Sequence, residues 1–332
     1  MPFPLASDRR NLTVTTVTAT NRIRRVALVG AGIIGAGWAV RLLAAGISVV
    51  ATDPSAGAER RFRRAVTAGL EALSMPATAL ADTAAVSFAN SVAGAVVGAD
   101  FVQESAIEDE AVKRRILVEI DECAPPGVIV ASSTSALQPS ALQYGMRHPE
   151  RFLVAHPFNP VYLIPLVELV PGQSTSAATM ATTTSFYADI GMTPLTLAVE
   201  LPGFLANRLQ EALWREALWL VRDGVATTAQ VDAALTSALG LRWALMGPFE
   251  TFHLAGGDGG IRQMLEHFGP SLQDPICHAV APDLTDELTA RIGISCDEQF
   301  TGHTVASLVV RRDNFLRDLQ ELLRKYRSTP AV

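Results

Sequence analysis

The sequence predicts an α/β protein, in which a Rossmann-type doubly wound sheet domain is followed by an all-helical domain. Three observations support this fold class: a glycine-rich turn between a strand-like and a helix-like segment, alternating strand-like and helix-like segments up to about residue 202, and long helical runs after it. The expected boundaries are 1–22 for a flexible leader, 23–201 for the sheet domain and 202–332 for the helical domain.

Composition limits the classes of partner. The chain has 332 residues, of which 49% are hydrophobic, and a net charge of -6. A chain without a basic field does not attract nucleic acid or an anionic membrane surface. The uncharged run Val26–Val40 is shorter than the roughly 20 residues that cross a bilayer. We therefore expect a small-molecule partner.

The cysteines and the N-terminus bear on the compartment. An odd set of three cysteines, Cys123, Cys277 and Cys296, with no C-x-x-C pair is typical of reduced thiols and favours a cytoplasmic protein. Neither these cysteines nor the histidines have the spacing of a metal site, so no metal is expected. The first 22 residues lack the unbroken apolar core of a signal peptide, and we interpret them as the leader.

The first element pair surrounds the stretch "VALVGAGIIGAGWAVRLLAAGISVVATD". The short β-branched run is followed at once by Gly30-x-Gly32-x-x-Gly35, and a helix starts near Ile33 and stops at Gly46. In a dinucleotide site the first glycine permits the tight turn, the second lets the backbone approach the diphosphate, and the third lets helix and strand pack closely. A glycine-rich packing crossover is the alternative.

An acid completes this pattern. Asp53 ends the second strand-like run, where a carboxylate hydrogen-bonds the adenosine ribose and repels a 2′-phosphate, so NAD is favoured over NADP. No arginine adjoins it in the sequence. The predicted cofactor-binding residues of this unit are Gly30, Gly32, Ile33, Ile34, Gly35 and Asp53.

Strand-like and helix-like segments then alternate. The predicted strands are "AAVSFA", "ADFVQES", "GVIVASS", "FLVAHPF", "PLVELV" and "TPLTLAV". Between the second and third of these, "EDEAVKRRILVEIDEC" predicts a helix with Val112, Ile116 and Ile120 on one face. After Pro202-Gly203 helical runs cover 204–225 and 305–326, and the apolar stripe of the last run must be covered by its own domain or by a second subunit. We expect a homodimer through this domain.

Polar residues that could carry out an alcohol oxidation follow the later strands. Ser135 comes after "GVIVASS", His156 and Asn159 lie in "VAHPFNP", and Glu168 interrupts the apolar "PLVELV". A buried carboxylate needs a partner, and a histidine held by it would be oriented as a general base. The alternatives are a satisfied core histidine and a glutamate on an edge strand.

The segments "VGAGIIGAGW", "ASSTSAL", "HPFNPVYLIPLVEL" and "PGFLANRL" together resemble the 3-hydroxyacyl-CoA dehydrogenase family, from Arg24 to about Asp297. The resemblance implies an NAD-binding domain and a helical dimerisation domain. It also implies His156 as base, Glu168 as its orienter, and Ser135 and Asn207 as the residues that hold the reacting oxygen. Glu104, Ser135 and Asn159 match family positions near the nicotinamide end of the cofactor.

The helical segments "LQEALWREALWLVRDGVATT" and "GLRWALMGPFETFHLAGGDGG" are similar to the L-carnitine 3-dehydrogenases within this family, which implies NAD-dependent oxidation of carnitine to 3-dehydrocarnitine. The chain has only two lysines, and the lysine-bearing arm that covers CoA in other members looks cut back. A quaternary ammonium is best met by aromatic faces. The candidate substrate residues, for which ordinary helix packing is the alternative, are Tyr162, Trp214, Trp243, Phe249, Phe252 and, for the carboxylate, Arg242.

Three other functions are open. The same machinery would serve a short-chain L-3-hydroxyacyl-CoA dehydrogenase or an L-gulonate 3-dehydrogenase, and substrate profiling separates these. Because one relative is a lens structural protein, a non-catalytic NAD-binding role is a remote alternative. The presence of Ser135, His156, Glu168 and Asn207 together argues against it.

Overall fold

The structure is a computed structural model that describes residues 23–73, 75, 85–269, 277–278 and 280–327; the predicted leader lies outside these residues. The described residues form an eight-stranded sheet with the order β3-β2-β1-β4-β5-β6-β7-β8. Its strands are β1 (Arg25–Val29), β2 (Ser48–Thr52), β3 (Val86–Phe88), β4 (Phe101–Glu104), β5 (Ile129–Ser132), β6 (Phe152–Pro157), β7 (Leu166–Pro171) and β8 (Thr193–Thr196).

Helices cover both faces of this sheet, as a doubly wound fold requires. They are α1 (Ile33–Ala44), α2 (Ala58–Ala72), α3 (Val92–Val96), α4 (Glu110–Cys123), α5 (Pro139–Leu142) and α6 (Ala177–Asp189), with a 3₁₀ turn at Pro149–Arg151. One apolar layer contains Trp38, Phe62 and Tyr187, and the other contains Leu117 and Leu142. The predicted fold class and all six predicted later strands are confirmed.

The direction of the sheet changes once. Strands β1 to β6 are parallel, β6 and β7 pair antiparallel, and β7 and β8 are parallel to each other. The connection between β6 and β7 covers only residues 158–165, which is too short for the crossover that a parallel pair needs. The reversal places the start of β7 at the sheet edge where β6 ends.

A helical region follows β8. Its elements are α7 (Ala206–Arg222), α8 (Thr228–Ala234), a π-helical turn at Leu235–Leu239, α9 (Gly240–Trp243), α10 (Pro248–Ala255), a 3₁₀ turn at Gly257–Gly259, α11 (Gly260–Phe268), α12 (Asp286–Gln299) and α13 (Val305–Arg327). Among its described residues, the fully buried hydrophobic side chains from α7 onward are Leu218, Val221 and Leu288. The region therefore has very little core of its own.

The predicted α4 helix exists, but its buried face differs from the expected one. Its fully buried residues are Lys113, Leu117, Ile120 and Asp121, whereas Val112 and Ile116 are half-buried. The face is rotated because Lys113 points inward to an acid on β4. Within the described part of the chain, no helix is long and apolar enough to cross a membrane.

Candidate active site

The candidate site lies at one edge of the sheet. Because β1, β4, β5 and β6 are parallel, their carboxyl ends meet at this edge, which is where ligands bind in open α/β sheets. The glycine turn follows β1, and the segment from Ser133 to Ser135 follows β5. The antiparallel β7 begins there. Most of the polar residues predicted from the sequence are thus brought to one region.

His156 and Glu168 are direct neighbours across the β6–β7 ladder. The Nδ1 atom of His156 lies 2.8 Å from Oε2 of Glu168, and both side chains are almost fully buried. Since an ionised carboxylate only accepts hydrogen bonds, the imidazole donates its Nδ1–H to it. The lone pair of the neutral ring is then on Nε2, the nitrogen that faces away from Glu168.

The other oxygen of Glu168 is fixed by the start of α7. Its Oε1 accepts hydrogen bonds from the backbone N–H groups of Leu205 and Ala206, both at 2.9 Å. Burial disfavours the charge of Glu168, but the contact with His156 and the two N–H groups outweigh that cost, so the pKa of Glu168 lies below its ordinary value. The positive end of the helix dipole acts in the same direction. Glu168 is thus held as a fixed anion.

Phe204 turns the chain into this helix. It has φ of 51°, a left-handed conformation that is rare for a bulky residue and that places the following N–H groups over Glu168. The centroid of its buried ring lies 5.5 Å from the centroid of the His156 ring. The centroid of the Phe158 ring lies 4.7 Å from the same His156 centroid. Sequence reasoning assigned neither phenylalanine to the site, although Phe204 stands in the quoted "PGFLANRL".

Ser135 and Asn207, to which the resemblance assigns a shared role, are in contact. The Nδ2 atom of Asn207 donates to the backbone oxygen of Ser135 at 2.9 Å. Asn207 is in the first turn of α7, directly after Ala206, so this turn links the loop after β5 to the acid on β7. The Ser135 side chain is exposed at the sheet edge.

The carboxylate that reaches Ser135 is that of Glu108. Its Oε1 accepts from the Ser135 backbone N–H at 2.8 Å, from the Ser135 hydroxyl at 3.2 Å and from the Thr134 hydroxyl at 2.5 Å. Burial opposes its charge, but these bonds and the nearby Lys113 ammonium bring the pKa of Glu108 below its ordinary value. In the sequence, Glu108 is only the first residue of the predicted helical segment "EDEAVKRRILVEIDEC".

Glu104, predicted as a cofactor-binding residue, ends β4 with a fully buried side chain. Its Oε1 forms an ion pair with Lys113 at 2.9 Å and accepts from the Ala106 N–H, and its Oε2 accepts from the Ser132 hydroxyl. A charge buried in the sheet needs such partners. Glu104 therefore supports the loop after β4 from below.

The glycine turn fits the diphosphate of a dinucleotide. A Cβ atom on Gly30 would lie 2.5 Å from the Ser105 backbone, and one on Gly35 would lie 2.0 Å from the Gly30 oxygen, so the turn has no space on its inner side. A Cβ atom on Gly32 would meet nothing within 4 Å. No side chain caps the N-terminus of α1, and its N–H groups are left for a ligand. Ile33 there is exposed, and Ile34 is half-buried.

Asp53 follows β2 and contacts the glycine turn. Its oxygens accept from the N–H groups of Ala31 at 3.0 Å and Ser55 at 2.9 Å. Burial opposes its charge, but these N–H groups, the Ser55 side chain and Arg61 outweigh it, and the pKa of Asp53 is lowered. Arg61 is not adjacent to Asp53 in the sequence, but it is near enough in space to act on the charge of this acid.

Asn159, predicted as a cofactor-binding residue, is exposed just after β6. The predicted substrate residues lie on several different elements. Tyr162 donates its hydroxyl to Asp313 of α13 at 3.0 Å, and the acid together with burial raises the pKa of Tyr162 to about 12. The remaining candidates are exposed on helices of the helical region: Trp214 on α7, Arg242 and Trp243 on α9, and Phe249 and Phe252 on α10.

Family models match both parts of the chain. The model described as "3-hydroxyacyl-CoA dehydrogenase, NAD binding domain" matches residues 25–200. The model described as "3-hydroxyacyl-CoA dehydrogenase, C-terminal domain" matches residues 203–291.

Relatives of known name are similar over almost the whole chain. A Bacillus cereus protein named L-carnitine dehydrogenase is 51% identical, over 92% of this chain and 94% of its own. Proteins of the same name from Streptomyces coelicolor and Pseudomonas putida are 47% and 43% identical, each over 93% of this chain and over 96% and 97% of their own.

Solved structures agree with these matches. A 5-formyl-3-hydroxy-2-methylpyridine 4-carboxylic acid 5-dehydrogenase, described as an NAD⁺-dependent dismutase, superposes with a TM-score of 0.77 at 29% identity, over 91% of this chain and 99% of its own. An (S)-3-hydroxybutyryl-CoA dehydrogenase from Ralstonia eutropha gives 0.61 at 29% identity, over 76% and 88%. With the cradle for the coenzyme and the two family models, these matches lead to one conclusion. The chain belongs to the 3-hydroxyacyl-CoA dehydrogenase family and is an NAD-dependent 3-hydroxy dehydrogenase.

Proposed function

We propose that this enzyme oxidises the 3-hydroxyl of L-carnitine to 3-dehydrocarnitine, with His156 as general base and Glu168 as its positioning residue. The observation that carries the chemistry is the 2.8 Å contact of Nδ1 with Oε2, on a carboxylate that two backbone N–H groups already hold. The names of the relatives that are 43–51% identical support the substrate.

In this proposal the Nε2 lone pair of His156 takes the proton of the C3 hydroxyl as the C–O bond becomes a carbonyl. Bound NAD supplies the hydride acceptor. Glu168 keeps the proton of the resting ring on Nδ1 and stabilises the imidazolium that forms. The Ser135 hydroxyl, on turning away from Glu108, and the second N–H of the Asn207 amide hold the reacting oxygen, and the rings of Phe158 and Phe204 exclude water from the base.

The proposed carnitine pocket uses aromatic side chains and one arginine. The trimethylammonium group would be met by aromatic faces from Tyr162, Trp214, Trp243, Phe249 and Phe252, and the carboxylate by Arg242. Because these side chains are exposed or engaged elsewhere in the single chain, we propose that the pocket is completed when the helical region meets a second copy.

The homodimer is therefore part of the proposal, and its support is the sparse core of the helical region. We also propose a cytoplasmic location, because the three free cysteines are typical of a reducing compartment. Recovery of the protein from the extracellular or periplasmic fraction of its native cells would contradict that location.

A substrate panel tests the function. Purified enzyme with NAD is given L-carnitine, L-3-hydroxybutyryl-CoA and L-gulonate in turn, and NADH fluorescence is recorded. Carnitine is expected to give the highest kcat/KM. If carnitine is inert and the CoA thioester turns over, the substrate assignment is wrong and the family assignment stands.

A histidine pair tests the base. His156→Gln is expected to lower kcat by about 10²- to 10⁴-fold, the usual contribution of a positioned acid–base group, with NADH affinity unchanged. His148→Gln is the matched control, because His148 is an exposed histidine beside Glu150. A near-normal rate for His156→Gln would remove His156 from the mechanism.

A further inference from the structure

A chain of buried polar side chains runs beneath the glycine turn. It starts at the Tyr187 hydroxyl, passes through the Gln103 amide and the Ser133 hydroxyl, and ends at the Ser105 hydroxyl. The Trp38 indole joins it at Ser133. Tyr187, Gln103 and Trp38 are almost fully buried, whereas Ser105 is half-buried at the end of β4. Trp38 and Ser133 stand in segments quoted above for the family resemblance, but no role was assigned to either residue there.

The direction of each hydrogen bond in this chain can be derived. Burial raises the pKa of Tyr187, so the phenol is protonated, and it donates to Oε1 of Gln103. If the amide were turned over, Gln103 would offer N–H to the phenol, and the buried phenol proton would have no acceptor among the described residues. Leaving such a group unpaired is costly. The amide therefore presents Nε2 to Ser133, at 2.8 Å.

Ser133 then has one remaining option. Its oxygen accepts from Gln103 Nε2 and from Trp38 Nε1, at 2.8 and 3.0 Å, and neither of these nitrogens can act as an acceptor. A hydroxyl has two lone pairs and one proton, so Ser133 must donate along the 2.8 Å contact to Ser105. Ser105 is thus an acceptor there, and its own proton points away from the buried chain.

Ser105 lies beside the glycine turn, so its hydroxyl proton can point toward the coenzyme site. Its backbone closes the inner side of the turn at Gly30, and a Cβ atom on Gly35 would lie 3.8 Å from the Ser105 Cβ atom. The side chain therefore borders the first turn of α1, whose N–H groups face the diphosphate. Among the described residues, Ser133 is the one side-chain partner of the Ser105 hydroxyl.

We propose that Ser105 is a coenzyme-binding residue whose hydroxyl donates a hydrogen bond to an oxygen of the diphosphate–ribose part of NAD, in a direction imposed by the buried chain Tyr187–Gln103–Ser133. Hydrogen bonds in such a chain polarise one another, which makes the terminal O–H a better donor. Because NAD binding itself does not depend on the alcohol, the proposal is independent of carnitine as substrate.

Binding without substrate tests the proposal. We compare the Kd of NADH, ADP-ribose, ADP and AMP for the intact enzyme and Ser105→Ala by fluorescence and calorimetry. NADH is expected to bind about 3- to 30-fold more weakly to the variant, the usual effect of losing one hydrogen bond. AMP, which lacks the diphosphate, should bind equally to both. ADP and ADP-ribose distinguish a diphosphate oxygen from a ribose oxygen.

Two further variants control for structure. Ser48→Ala removes a serine hydroxyl at the opposite edge of the sheet, where it donates to the Arg24 oxygen, and should leave every Kd unchanged. Ser105→Cys keeps the size of the side chain without a strong donor, and should bind NADH as weakly as Ser105→Ala. An unchanged NADH affinity in either Ser105 variant, or an equal loss for AMP, would overturn the proposal.

A double-mutant cycle tests the buried chain. In Tyr187→Phe the Gln103 amide is free to turn over, which reverses the order and turns the Ser105 proton inward. Tyr187→Phe should therefore weaken NADH binding when Ser105 is present and add no loss in the Ser105→Ala background. Equal losses in both backgrounds would refute transmission along the chain.

Discussion

At the scale of single residues, the site depends on one fixed carboxylate. Glu168 accepts three hydrogen bonds, one from His156 on one oxygen and two from backbone N–H groups on the other. A carboxylate held in this way cannot rotate toward a substrate. Its role in the proposed mechanism is consequently to set which nitrogen of His156 is free.

Glu168→Gln tests this role. The glutamine can keep its oxygen on the Leu205 and Ala206 N–H groups, and its amide would then offer N–H to Nδ1 and move the ring proton to Nε2. With the base nitrogen protonated, kcat should fall by roughly 10³- to 10⁴-fold while NADH affinity stays the same. Glu150→Gln, an exposed acid before β6, is the control. A loss confined to KM would contradict the tautomer argument.

The same residue predicts a pH dependence of stability. Because the pKa of Glu168 is lower in the folded chain than its ordinary value of 4.5, its contribution is complete above that value and is lost as the pH falls through the folded pKa. Below about pH 4.5, the free energy of unfolding measured in urea should fall more steeply with decreasing pH for the wild type than for Glu168→Gln. Parallel curves would contradict this. Asp53 and Glu108, shifted in the same direction, remain in the variant.

At the scale of elements, the glycine turn has one open and one closed side. Gly32 has φ of -74°, which any residue adopts, and open space at its Cβ position. Gly35 has the Gly30 oxygen at 2.0 Å from that position. Gly35 therefore serves the packing of helix on strand, and we propose that Gly32 serves the approach of the ligand.

The variants Gly32→Ala and Gly35→Ala separate these purposes. Gly32→Ala should leave the melting temperature unchanged. It should weaken NADH binding on the order of tenfold, about 1.4 kcal/mol, because the methyl group would occupy the space through which the diphosphate approaches the backbone. Gly35→Ala should lower the free energy of unfolding by about 1–3 kcal/mol through overpacking. Each variant is the control for the other, and the reverse pattern would contradict the cradle.

The strands themselves were predictable from sequence, but the relation between β6 and β7 was only partly so. Periodicity identifies apolar runs, and a buried acid twelve residues after a histidine suggests a pair. The short connection between these strands also predicts that they are antiparallel, a signal that the periodicity of the strands does not contain. Glu108 could not be found in this way, because an acid at a helix start has an ordinary explanation and only folding brings it to Ser135.

At the scale of the whole molecule, the two regions differ in how they bury apolar surface. The sheet region has a core on each face. The helical region leaves large side chains in solvent, among them Leu209, Leu213 and Trp214 on α7 and Phe249, which is 81% exposed. Large exposed apolar patches are typical of binding surfaces, which supports the proposed homodimer. Among these exposed side chains, Trp214 and Phe249 belong to the proposed carnitine pocket.

The proposed homodimer is testable by mass. Light scattering should give about 71 kDa, twice the chain mass of 35.3 kDa. Leu209→Glu places a carboxylate on the apolar face of α7, and since burying an unpaired charge is costly, it should shift the mass to that of one chain. It should also lower kcat, because the first turn of the same helix holds Glu168 and contacts Ser135.

Gln210→Glu is the matched control for that variant, since it adds the same charge at the neighbouring exposed position and should remain dimeric. If the dimer covers the apolar face of α7, the two variants must differ in mass, although their charge and helix propensity are nearly equal. A wild-type mass of 35.3 kDa at all concentrations, or identical masses for the two variants, would refute dimerisation through this face. The candidate aromatic residues would then have to form the carnitine pocket within a single chain.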